Sequence, residues 1–95
     1  GGIRSVQDML RNYLHSDSKN LAQLMTYAER LGNGAVFKRL GFLLETNAPE
    51  ETAVIEQCQR NITKGNATID PKIPAKSLVA RWRLWVPNEW KTGVR

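Results

Sequence analysis

The apolar residues of this chain change their period once, near Gly65, and that single change limits the folds open to it. Before Gly65 they recur at the spacing of a helix face. After it they alternate as in a strand. A chain of 95 residues supports one modest core, so both halves must share it.

Four helices are predicted upstream of the change. Ser5 stands where it would cap the first, with Asp8 in capping-box position, and Val6, Met9, Leu10, Tyr13 and Leu14 form its stripe. His15-Ser16-Asp17-Ser18 is a polar break, and Asp17 or Ser18 is placed to cap a second helix. That helix carries Leu21, Leu24, Met25, Ala28 and Leu31. At the corner Leu31-Gly32-Asn33-Gly34, Gly32 suits a left-handed C-terminal cap and Asn33 can accept the next helix's free N–H groups. The third helix buries Val36, Phe37, Leu40, Leu43 and Leu44 and ends near Thr46-Asn47. Gly41 inside it costs about 1 kcal/mol relative to alanine, which predicts another backbone packed closely there. Pro49 suits the first turn of a fourth helix, where Glu50 and Glu51 complement the dipole. Val54, Ile55, Cys58 and Ile62 face inward, and the helix stops at Lys64-Gly65-Asn66.

Downstream, Ala67-Thr68-Ile69 reads as a short strand closed by Asp70-Pro71, and Pro71 with Pro74 keeps the next stretch extended. From Leu78 to Val86 the pattern predicts one half-buried strand. Ala80, Trp82, Leu84 and Val86 lie on one face, and Arg81, Arg83 and Trp85 on the other. The expected fold class is α+β, a single domain over residues 1–95. About four helices precede a short antiparallel strand segment, residues 67–87, packed on them.

Composition excludes several classes. Apolar residues at 41% and charged residues at 24% are ordinary for a globular domain, and no apolar run is long enough to span a bilayer. No signal peptide is visible, and the single Cys58 makes no internal disulfide, which fits the cytoplasm. Cys58 sits on the apolar face and reads as a buried, inert thiol. Lone His15 has no partner at metal-ligand spacing, adjacent Glu50 and Glu51 point in different directions, and Gly32-Asn33-Gly34 lacks the lysine of a phosphate loop. The chain is therefore not expected to be an enzyme, or to hold a cofactor or metal. It begins at Gly1 without methionine, which reads as a domain cut from a longer protein or a chain that has lost residues.

Charge is the informative property. Residues 1–63 balance seven Lys/Arg with seven Asp/Glu, whereas residues 64–95 set seven against two, so the whole excess of +5 is C-terminal. Such asymmetry points to nucleic acid or an acidic partner. The candidate nucleic-acid contacts are Arg81 and Arg83 beside Trp85, with Lys72 and Lys76 in the preceding loop. Lys38 and Arg39, at the start of the third helix, read mainly as solvated. The competing reading makes Trp82 core, packs Trp85 on a helix, and has the arginines guard a strand edge.

The wording of the chain adds a resemblance. Tyr27-Ala28, Leu31 and then Lys38-Arg39-Leu40-Gly41-Phe42-Leu43-Leu44-Glu45 resemble the C-terminal domain of the AbiEi-like antitoxins, where a "YA…L" helix precedes an "(R/K)RLG(Y/F)LLE" helix. Gly1-Gly2-Ile3 with Val6 and Leu10 is similar to the family's opening, and Asp70-Pro71 to its "L/I-D-P" segment. Arg81-Trp82-Arg83-Leu84 through Val86 is similar to its closing "RW.L.VN" strand, with Pro87 inserted before Asn88. The resemblance covers Gly1 to about Asn88 and implies a bacterial type IV antitoxin and transcriptional autoregulator of abortive infection. It further implies a winged helix-turn-helix domain upstream that reads operator DNA, a nucleotidyltransferase toxin as antagonist, and, because the family's helix motif keeps a base at that place, Arg39 as a fifth candidate nucleic-acid contact. The alternative is a protein-interaction or structural module of another regulator with no direct nucleic-acid contact. Sequence specifies no oligomeric state.

Overall fold

The computed structural model describes residues 3–17, 19–31 and 34–91. Helix α1 runs Ile3–Leu14, α2 Leu21–Arg30, α3 Gly34–Asn47 and α4 Thr52–Arg60, so all four expected helices form. Their ends differ from expectation. Helix α1 starts ahead of Ser5, which lies inside it. The cap of α2 is Asn20, whose Oδ1 accepts the Gln23 N–H at 3.1 Å, in place of Asp17. Asn20 directly abuts the helix, and only there does a side-chain oxygen reach the third backbone N–H. Pro49 lies in a turn ahead of α4, which is led by Glu51, and α4 ends at Arg60, short of Lys64. The expected roles of Gly1, Gly2, Ser18, Gly32 and Asn33 fall outside the described residues.

Helix α3 is the centre of the molecule, because it carries two inward stripes. The first is the expected one, Val36, Phe37, Leu40, Leu43 and Leu44, which meets α1, α2 and α4. The second comprises Lys38, Gly41, Phe42 and Glu45 at the same helical spacing, and the strand region covers it. A helix apolar nearly all round belongs inside. Leu40, Leu44 and Ala28 are fully buried, and Leu24 and Val54 nearly so, as their stripes predict.

Strands β1, Ala67–Thr68, β2, Ser77–Val79, and β3, Leu84–Val86, form one sheet in the order β1-β3-β2. The fold is α+β, but the sheet is mixed: β1 runs parallel to β3 and only β2 is antiparallel to it. The single strand expected over Leu78–Val86 is a hairpin. Val79 pairs with Leu84, and residues 80–83 turn back through a 3-10 turn, Ala80–Trp82, closed by the Arg83 N–H to the Ala80 carbonyl at 3.2 Å. Ala80 is therefore exposed and Val79 buried, opposite to the alternation. The turn Ala-Arg-Trp-Arg contains no glycine, proline or asparagine to announce it. Its last residue, Arg83, adopts the left-handed conformation with φ 52°, which costs a side chain on the order of 1–3 kcal/mol. Burial of Trp82 offsets that cost. The ring is fully buried, and its Nε1–H donates to Glu45 Oε1 at 3.0 Å.

Gly41 explains the site of that burial. An ideal Cβ there would lie 2.1 Å from Trp82 Cζ3, so the close neighbour is an indole ring and not the backbone expected from sequence. A short helix α5, Asn88–Lys91, follows Pro87, and its Trp90 packs partly against the core. Among the described residues no helix is long and apolar enough to cross a membrane.

Candidate nucleic-acid interface

The five candidate residues do not converge on one strand face. Arg81 and Arg83 both lie in the hairpin turn. Strand β3 runs away from that turn, β1 runs parallel to it, and Ser77 pairs with Val86. Lys72 and Lys76 therefore lie at the far end of the sheet, roughly 10 Å of strand from the arginines. Trp85 is half-buried on the outer sheet face between Thr68 and Leu78.

Arg81 is occupied. Its Nε stands 2.7 Å from Glu45 Oε2, and its guanidinium carbon lies 5.3 Å from the Trp82 ring centroid. One carboxylate thus accepts from both Trp82 and Arg81, and the charge of Arg81 is largely neutralised. Gln59 Nε2 donates to the Arg81 carbonyl at 3.1 Å, while its Oε1 is buried without a partner among the described residues.

The remaining cations gather elsewhere. Arg83 donates through Nη1 to the Lys64 carbonyl, Lys38 through Nζ to the Gly65 carbonyl, and Arg39 through Nε to the Thr68 carbonyl at 2.9 Å. Three side chains from α3 and the hairpin thus hold the segment 64–68 that leads into and forms β1. Carbonyl oxygens offer lone pairs but no net charge, so each cation stays uncompensated. Among the described residues none of Lys38, Arg39, Lys64 and Arg83 forms an ion pair with a carboxylate. Lys38, read from sequence as solvated, is only 3% exposed. Burial first, and then the charge of Arg83, push its ammonium below the ordinary lysine range.

A cleft of about 330 Å³ opens beside this group, between the end of α4 and the hairpin turn. Gln59, Thr63, Lys64, Arg81 and Arg83 line it. Sequence reasoning missed Lys38, Lys64 and Gln59. The available signal was Phe42, an apolar residue off the main stripe of α3 that, with Gly41, marks a second covered face running through Lys38.

Two other groups close. Cys58 is fully buried, as expected, and desolvation pushes its thiol up to about 12. His15 is exposed just beyond α1. No protein-family model matches the chain, and neither a curated protein nor a solved structure does.

Proposed function

We propose that this chain is the C-terminal domain of an AbiEi-like type IV antitoxin and transcriptional autoregulator, acting in the bacterial cytoplasm against a nucleotidyltransferase toxin. In this reading a separate winged helix domain reads the operator. The present domain adds phosphate contacts that fix orientation without specifying sequence. One observation carries the nucleic-acid part: Lys38, Arg39, Lys64 and Arg83 gather along one edge without a carboxylate among them. Each arginine is anchored by a single bond to a carbonyl, which leaves most of its five N–H donors for a phosphate. The resemblance supplies the rest. Its two longest segments, 38–45 and 81–86, meet through Gly41 and Trp82 and through Glu45 and Arg81. Arg81, Lys72 and Lys76 drop from the contact set, Lys64 enters it, and Lys38 supports it from the buried side.

Operator binding by the two-domain protein across salt concentrations tests this reading. Lys64→Ala with Arg83→Ala is expected to weaken binding and flatten the salt slope by about one to two. An unchanged slope and affinity count against it. A second reading, a docking module of another regulator, is favoured by a groove of about 570 Å³ between α1 and α2. Tyr27, 56% exposed, and Leu31 line it together with Met9 and Leu24. Retained operator binding in the double variant, with loss of regulation on Tyr27→Ala, would support that module.

A further inference from the structure

The cations at the hairpin turn exceed what a backbone phosphate would neutralise. Lys38 and Arg83 are anchored on adjacent carbonyls, those of Gly65 and Lys64, and each lies within the other's field. Lys64 projects from the same segment and lines the cleft together with Arg83 and Thr63. Two positive side chains without a carboxylate partner among the described residues, Arg83 and Lys64, thus line one concavity with the buried Lys38 behind the same segment, and Glu45 is committed to Arg81 and Trp82. A phosphodiester carries one negative charge, whereas a phosphomonoester carries about −1.5 to −2 at neutral pH. The cleft, about 330 Å³, is at the small end for a ligand site and suits one nucleotide-sized group better than a passing strand.

We propose that the cleft between the end of α4 and the β2–β3 turn binds a terminal phosphate, a phosphomonoester, held directly by Arg83 and Lys64. Lys38 is a positioning residue that holds the 64–66 segment through the Gly65 carbonyl. The inference rests on the nucleic-acid reading only for what carries the phosphate: a 5′-phosphorylated strand end or a free nucleoside monophosphate. The guanidinium of Arg83 is preset for a forked contact, because its turn conformation and its bond to the Lys64 carbonyl limit its motion.

The test compares two single-stranded hexanucleotides of identical sequence, one with a 5′-phosphate and one with a 5′-hydroxyl, by fluorescence anisotropy on the whole chain. The phosphorylated strand is expected to bind at least about tenfold more tightly. Lys64→Ala, at an exposed residue, should abolish the preference without lowering the melting temperature. Arg83→Lys should reduce it, because charge is kept and the fork is lost. Competition by a nucleoside 5′-monophosphate at similar affinity assigns the site to free nucleotides, and failure to compete with the preference intact assigns it to strand ends. Equal binding of the two strands, or a preference that survives both substitutions, overturns the proposal. Equal binding alongside the expected operator salt slope removes the terminal phosphate and leaves the backbone reading. A clear 5′ preference with no operator effect removes the operator reading alone.

Discussion

Trp82 fills the space that a side chain on Gly41 would need, with an ideal Cβ falling 2.1 Å from the indole Cζ3. The ring cannot swing away easily, because its N–H is held by Glu45 one helical turn along α3. A residue in a hairpin turn and a glycine in the central helix therefore fix how the sheet sits on the helices.

Gly41→Ala is accordingly expected to destabilise the fold by about 1–3 kcal/mol through overpacking, although alanine is the better helix former. Denaturant melts measure this. Trp82→Leu in the same background should recover part of the loss, giving a coupling between the two positions. A neutral or stabilising Gly41→Ala would mean that the ring relocates at little cost.

Leu40→Ala or Leu44→Ala should cost roughly 2–5 kcal/mol, since both side chains are fully buried on the face that α1 and α4 cover. A loss below about 1 kcal/mol in urea unfolding would contradict their place in the core.

Glu45 serves two donors of unequal burial. Glu45→Ala leaves the buried indole N–H without its acceptor and should cost about 1–3 kcal/mol. Arg81→Ala should cost under about 1 kcal/mol, because that side chain is 49% exposed and its ion pair is screened. The same variant should leave the salt slope of operator binding unchanged, which separates Arg81 from Arg83.

Lys38→Met removes a buried cation that has only a carbonyl for company. The recovered desolvation cost and the lost hydrogen bond act in opposite directions, so stability should stay within about 1 kcal/mol of the wild type. Anion binding at the turn should nevertheless weaken. A large destabilisation would make Lys38 a tether for the segment 64–66 above all else.

Cys58 gives a pH dependence of known sign. In the folded chain its thiol keeps its proton up to about 12, against about 9 unfolded, so between those values the unfolded state binds fewer protons. The contribution is fully present below about pH 9 and is lost as the pH rises towards 12. Cys58→Val should flatten the decline of stability across that window relative to the wild type. At pH 8 the folded thiol should resist a thiol reagent that labels it at once in denaturant.

The local period of apolar side chains by itself determined the four helices, the Leu40 and Leu44 stripe and the burial of Cys58, and its change near Gly65 determined the α+β class. Sequence also located the excess charge in the last third of the chain. Tertiary structure alone decided which charges act together. Arg81 and Arg83 are two residues apart, yet one is neutralised by Glu45, distant in sequence, and the other is not. The hairpin was hidden because two short strands and an unmarked turn alternate much as one strand does, until Trp82 must reach Gly41. Lys38 looked solvated because a helix with one evident stripe is assumed to be open on its other side. Strands that return from thirty residues downstream to cover that side, together with the cation edge they create, arise only when distant segments meet.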